Sequence, residues 1–140
     1  MFVDFGKPED FAPQVTNPVA DVLLKAAQYI REHGWCQFTP LWTGDVRYAK
    51  LLDLAPDAYP VGSVCARGGI SQVIHGTPWE IRDGGAGSAA EKALAHYLGQ
   101  RHHMGTGAAI AEWNNASGRT AEEVISALEN CAKALMETGR

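Results

Sequence analysis

The sequence lacks the features that mark membrane proteins, metal sites and the common catalytic motifs. No apolar run reaches the roughly 18 residues of a membrane-spanning helix, so we expect no membrane span. The opening stretch, MFVDFGKPEDFAP, carries acidic groups and no long apolar segment, and we therefore expect no signal peptide. HExxH, CxxC, G-x-S-x-G and aspartate-rich calcium motifs are all missing, so we predict no metal and no cofactor.

Basic charge and cysteine are also scarce. The 12 Lys and Arg residues against 16 Asp and Glu give a net charge of −4, whereas nucleic-acid-binding proteins usually carry a basic face. This balance argues against a nucleic-acid partner, and the adjacent Arg101, His102 and His103 favour a solvated helix end. The three cysteines, at positions 36, 65 and 131, are an odd number, which is typical of reduced thiols in a cytoplasm.

What the sequence does contain is the composition of a helical globular domain. Its hydrophobic fraction of 46% and charged fraction of 20% are ordinary values. We predict an all-α fold, a compact single-domain bundle of about five or six helices over residues 17–140. One long irregular connection is expected over 36–62, with a short helix possible at 45–54. Residues 1–16 are predicted to form an extended N-terminal arm.

Four helices begin at residues whose side chains can cap them. The expected caps are Asn17, Ser88, Thr106 and Thr120. Glu91 and Glu123 follow two of these caps at the spacing of a capping box. The first helix is expected to stop at Gly34. No strand-hairpin signal stands out.

The stretch VGSVCARGGI, residues 61–70, is the place where a reactive group would sit at a helix start. We predict a helix here, with a buried strand as the competing interpretation. With Ser63 as the cap, Cys65 and Arg67 fall in the first turn of that helix, where unpaired amides and the helix dipole stabilise a thiolate. A nucleophile also needs a base. The spacing does not identify any of the five histidines as this base, and we take His96 as the candidate. The simpler interpretation makes Cys65 a packed core side chain, followed by two glycines that admit a neighbouring element.

Two glycine-rich stretches, GGAGS at 84–88 and GTGAAI at 105–110, invite a phosphate-binding interpretation. The first lacks the lysine of a P-loop. The second lacks the third glycine and the flanking strands of a dinucleotide-binding fingerprint. We therefore expect no phosphate site at either stretch.

The segment AEWNNASGRT, residues 111–120, combines an indole with polar side chains. Five residues are binding candidates at the rim of a polar pocket: Trp35, Trp113, Asn114, Asn115 and Arg119. The alternative is a helix-to-helix corner in which the asparagine side chains bond to the backbone. The pattern favours the corner.

Three stretches, LLKAAQYIREHGWCQ, GSVCARGGI and IAEWNNASGRTAEEVISAL, together resemble a family of small actinobacterial and actinophage proteins classed as a domain of unknown function. That family's pattern is a helix ending in Gly-Trp, a central Cys-x-x-Gly-Ala-Ile, and Trp-Asn-Asp before Gly-Arg-Thr and a last helix. This chain has Gly69 where alanine is usual, and Asn115 where aspartate is usual, which removes a carboxylate. The resemblance covers most of 20–135, with 37–60 poorly matched. It implies a bacterial or phage cytoplasm and no particular activity.

Because no complete catalytic motif is present, the sequence favours a non-enzymatic protein that acts through protein–protein contacts, as a homodimer or on a host or phage factor. Aromatic residues outside the predicted helices support this, since such side chains anchor interfaces. They are Phe2, Phe5, Phe11, Trp42 and Trp79. The alternative is a small cysteine-dependent enzyme or ligand-binding protein that uses Cys65 and the Trp113–Asn115 corner.

Overall fold

We describe a computed structural model of the protein over residues 17–38, 41–42, 62–76, 78 and 86–138. Five helices and two short strands make up this part of the chain. In order they are α1 (Pro18–His33), β1 (Leu41–Trp42), β2 (Ser63–Val64), α2 (Ala66–His75), α3 (Ala86–Leu98), α4 (Thr106–Asn114) and α5 (Ala121–Glu137). The predicted all-α bundle is confirmed. None of the helices described is long and apolar enough to cross a membrane.

Several predictions concern residues that the structure does not describe. The N-terminal arm at 1–16, with Phe2, Phe5 and Phe11, lies outside the described residues, as do the helix proposed at 45–54 and Trp79. Trp42 is described through its backbone only. These predictions remain predictions.

The first helix begins and ends where its local signals predict. Asn17 Oδ1 accepts a hydrogen bond from the Ala20 N–H at 3.1 Å, and Pro18 is the first helical residue. Gly34 stops the helix with a φ of 100°, a backbone conformation that favours glycine. The residues that α1 buries follow its apolar stripe: Ala20, Leu23, Ala26, Ala27 and Ile30.

The core of the bundle lies between α1 and the helices packed around it, chiefly α5 and α2. Its largest fully buried apolar side chains are Leu23, Ile30, Val64, Ile70, Leu94, Ile110, Val124 and Leu128. Each such side chain contributes about 1.5–3 kcal/mol on burial. Arg31 on α1 also pairs with Glu129 on α5 at 3.0 Å, but water screens such an exposed pair, which adds little stability. Apolar burial therefore dominates the stability of the bundle.

The start of α2 differs from the prediction. Ser63 lies in β2, which pairs antiparallel with β1, and Val64 also bridges Trp35. Because that pairing draws Ser63 into a strand, Cys65 is the N-cap, and its Sγ accepts the Gly68 N–H at 3.2 Å. The strands gave no hairpin signal because they lie far apart in the sequence.

Two further helix starts are displaced from their predicted caps. The third helix already includes Ala86, so Ser88 lies within its first turn and the predicted capping box with Glu91 is wrong. The fourth helix has Gly105 as its N-cap, with a φ of 109° and no side-chain cap hydrogen bond, and Thr106 is its first residue. By contrast, Thr120 forms the predicted capping box at the start of α5.

Candidate functional site

The centre of the candidate site is the buried side chain of Asn114, at the end of α4. Its Oδ1 accepts hydrogen bonds from Trp35 Nε1 at 2.7 Å and from the Ala66 N–H at 3.1 Å. Its Nδ2 donates to the Cys36 carbonyl at 3.2 Å and to Asn115 Oδ1 at 3.1 Å. Asn114 is 1% exposed, and these four bonds use the full hydrogen-bonding capacity of its amide. The side chain therefore joins the segment after α1, the start of α2 and the end of α4.

A second row of bonds holds the segment that follows Trp35 against the same corner. Gln37 Nε2 donates to the Asn114 carbonyl at 3.1 Å and to the Ala116 carbonyl at 3.0 Å. The Phe38 N–H donates to Asn115 Oδ1 at 2.8 Å. Sequence reasoning missed Gln37 and Phe38, because neither lies in a periodic pattern and their partners are 77 to 79 residues away.

Arg119 closes the corner on its other side. Its guanidinium carbon lies 4.0 Å from the centre of the Trp113 ring, in cation–π geometry. Its Nε donates to the Trp113 carbonyl at 3.0 Å, which satisfies a carbonyl at the end of α4. One face of the indole is therefore covered by a side chain of the same chain.

The structure thus brings together all five residues predicted at the pocket rim. We call this set, with Gln37 added, the Asn114 clamp: Trp35, Gln37, Trp113, Asn114, Asn115 and Arg119. Its hydrogen bonds, like the cation–π contact, run within the chain, as in the corner that the sequence pattern favours. Ligand binding by these residues remains a prediction.

Phe38 is the residue that the clamp presents to the outside. Its side chain is 78% exposed, the highest value among the large hydrophobic residues described. Its φ of 69° lies in the left-handed region, and it is the one non-glycine residue in the described chain with a positive φ. This conformation costs about 1–2 kcal/mol for a residue with a Cβ. Surrounding contacts must therefore hold the Phe38 backbone in place.

The three residues proposed for catalysis are not assembled into one constellation. Burial raises the pKa of the Cys65 thiol, and the amide of Gly68 and the charge of Arg67 lower it by less. Burial therefore opposes the activation predicted for this thiolate. Arg67 Nε donates instead to Glu91 on α3, and the His96 side chain is hydrogen-bonded to neither Cys65 nor Arg67 in the described part of the chain. Catalysis by Cys65 remains a prediction.

The histidines give no sign of a metal centre where the structure describes them. His102 and His103 stack with ring centroids 4.6 Å apart, and His102 Nδ1 accepts the Met104 N–H at 2.9 Å. Within the described ranges, no group of three or more His, Cys, Asp or Glu side chains could hold a metal ion.

Comparison with known protein families places the chain in a family. A model of a family of unknown function, DUF6197, matches residues 14–134, a range that begins before α1 and reaches into α5. The search of curated proteins and the search of solved structures found no match to the chain. The family match confirms the resemblance inferred from the sequence and implies no activity.

Proposed function

Because the chain belongs to the DUF6197 family, whose function is unknown, we propose a function from its own residues. In this proposal the protein is not an enzyme, and it acts by binding another protein, with Phe38 as the anchor of the contact. The observation that carries the proposal is the combination of exposure and strain at Phe38, which is 78% exposed at a φ of 69°.

The strain at Phe38 supports a binding role because the exposed ring adds little to the stability of the fold. A buried aromatic side chain would offset the left-handed conformation by apolar burial, but this ring faces solvent. Strained residues persist where surrounding contacts fix them, and they concentrate at binding and active sites. Here the Asn115 side chain and the two hydrogen bonds from the Gln37 side chain to backbone carbonyls fix the segment, so the ring is held in place before a partner binds.

The chemistry of Phe38 specifies the kind of partner. Large aromatic side chains anchor interfaces by filling apolar pockets at the centre of a contact. We therefore infer a partner protein that presents an apolar pocket, either a host or phage protein or a second copy of this chain. We also propose that the protein acts in a bacterial or phage-infected cytoplasm. The three cysteines support it, because they are thiols rather than disulfides.

The test places a photo-crosslinking benzoyl-phenylalanine at position 38 of the full chain, expressed in its native cellular setting. The matched control places the same group at Leu24, which is exposed on α1. We expect one protein to be trapped from position 38 and not from position 24. Purified, it should bind the Phe38→Ala chain about tenfold more weakly or worse than the wild type, as for an interface anchor.

Sedimentation velocity separates the two partner classes. If the trapped protein is a second copy, the wild type should dimerise and Phe38→Ala should be monomeric. Equal crosslinking from positions 38 and 24, or equal affinity of the partner for wild type and Phe38→Ala, would overturn the proposal.

A further inference from the structure

A cavity of about 600 Å³ opens at the N-terminal end of α4, away from the residues that hold Phe38. It is bordered by Arg67 on α2, by Ser88, Glu91 and Lys92 on α3, and by residues 104–108 at and before the start of α4. This volume falls within the range of about 300–1,000 Å³ that is typical of small-molecule sites. The cavity therefore has room for a ligand larger than a bare ion.

The first turn of α4 directs unpaired amides to this cavity. Gly105, the N-cap, has no side chain with which to cap the helix. Within the described chain, no acceptor bonds to the N–H groups of Thr106, Gly107 and Ala108, all of which border the cavity. Such amides, together with the positive end of the helix dipole, attract anions.

Arg67 adds a guanidinium to the same turn. Its Nε donates to Glu91, a buried carboxylate, which leaves the terminal nitrogens without an acceptor among the described residues. One of them, Nη2, lies against Gly107, where a Cβ would stand only 2.6 Å from it. A glycine is thus what allows the guanidinium to lie on the helix start. The charges of Arg67 and Glu91 cancel, so the ammonium group of Lys92 gives the cavity a net positive charge.

Ser88 provides an independent sign that something binds here. It is 9% exposed and borders the cavity, yet its hydroxyl has no hydrogen-bond partner in the part of the chain that the structure describes. A buried hydroxyl without a partner is costly, and native structures contain few of them. A ligand that accepts a hydrogen bond from Ser88 would remove that cost.

We propose that this cavity binds the phosphate group of a small phosphorylated molecule. The donors around it are amides, a guanidinium, an ammonium and a hydroxyl, which match the several acceptor oxygens of a phosphate. Met104, exposed at the rim, offers an apolar surface to the rest of the molecule. Both glycine-rich stretches of the sequence contribute to this one site, since Ser88 ends GGAGS and Gly105 begins GTGAAI.

The test is a ¹H–¹⁵N NMR titration of the full chain with inorganic phosphate and, separately, with phenyl phosphate. We expect the amide resonances of Thr106, Gly107 and Ala108 to shift in a saturable way. Tighter binding of phenyl phosphate would identify the source as a phosphorylated organic molecule, and equal binding would identify it as free phosphate. Either result supports the phosphate site.

Two variants and one control make the test decisive. Ser88→Ala removes a hydroxyl that bonds to nothing in the described fold, so the folded state should survive while the affinity falls on the order of tenfold. Lys92→Gln should weaken binding as well, because it removes a cation at the cavity. Lys133→Gln, which makes the same charge change on α5 away from the cavity, should bind like the wild type.

Three outcomes would overturn the phosphate site. One is an absence of shifts at the three amides. Another is wild-type affinity in both cavity variants. The third is a loss of affinity in Lys133→Gln equal to that in Lys92→Gln, which would mean that the overall charge of the protein, and not this cavity, determines the affinity. None of these bears on the protein contact through Phe38, because the two sites share no residue.

Discussion

Trp35 donates its indole N–H to the buried side-chain oxygen of Asn114, at 2.7 Å and across 79 positions of the sequence. The same oxygen accepts the Ala66 N–H, so one amide fixes the segment after α1 and the start of α2 to the end of α4. Asn115, the next residue, bonds to the Phe38 N–H instead. The two adjacent asparagines thus have different tasks, one inside the corner and one at its edge.

Because the two asparagines have different tasks, we expect position 115 to tolerate substitution by aspartate and position 114 not to. In Asn114→Asp, a buried carboxylate would face the Cys36 carbonyl and Asn115 Oδ1, both acceptors, and we expect a loss of stability on the order of 2–4 kcal/mol. In Asn115→Asp, stability should change by less than about 1 kcal/mol, because Oδ1 only accepts hydrogen bonds, from Phe38 and Asn114. Urea unfolding of both variants checks this. A more stable Asn114→Asp than Asn115→Asp would contradict the clamp.

Local signals were enough to predict the helix ends that depend on neighbouring residues alone. Asn17 and Thr120 cap their helices as predicted, because a cap bonds to an amide within three residues. Ser63 and Ser88 have the same local signal, but distant partners decide the structure there. Strand pairing takes Ser63 into β2, and Glu91 pairs with Arg67 instead of closing a capping box with Ser88.

The site was less predictable than the fold because its bonds are long-range. The sequence pattern of residues 111–120 indicated a corner, and the structure contains one. It did not indicate which asparagine turns inward, since three of the four bonds of the Asn114 side chain reach residues 48 to 79 positions away. The phosphate site was missed for the same reason. GGAGS and GTGAAI are each incomplete as motifs, and only the packing of α2, α3 and α4 brings their residues to one cavity.

Gly69 tests the close packing of α1 against α2. A Cβ at this position would lie 3.5 Å from Ile30 Cδ1 and 3.6 Å from Ala26 Cβ, which are ordinary contacts. We expect Gly69→Ala to stabilise the protein by about 0.5–1 kcal/mol through helix propensity. Gly69→Leu should destabilise it by about 1–3 kcal/mol through overpacking. Thermal unfolding measures both changes, and a leucine variant as stable as the wild type would refute the packing.

The strain at Phe38 predicts a stabilising substitution. Phe38→Gly should raise the free energy of unfolding by about 1 kcal/mol, because glycine adopts a positive φ without the Cβ penalty and little apolar burial is lost. Phe38→Ala keeps the Cβ and serves as the control, with stability near that of the wild type. Denaturant unfolding of the pair gives the comparison. A glycine variant less stable than the alanine variant would mean that the positive φ carries no strain at this position.

Buried thiols predict a loss of stability at alkaline pH. Burial raises the pKa of Cys131 from 9.0 to about 11, so between these values the unfolded chain has released a proton that the folded chain still holds. The contribution of this thiol to the free energy of unfolding is fully present below pH 9. It falls by on the order of 2 kcal/mol as the pH rises towards 11. The free energy of unfolding against pH should fall less steeply in Cys131→Ala than in the wild type. Parallel curves would contradict the raised pKa.

Whether the chain is a binding protein or an enzyme is tested most directly by the alkylation rate of Cys65 as a function of pH. The rate is measured in a chain that carries Cys36→Ser and Cys131→Ala. We predict a thiol that reacts slowly in the folded protein and has a pKa above the ordinary value for cysteine, because desolvation raises this pKa by more than the hydrogen bond from the Gly68 amide lowers it. A thiolate that forms well below that value would identify an activated nucleophile, and the non-enzymatic function proposed for this chain would be wrong.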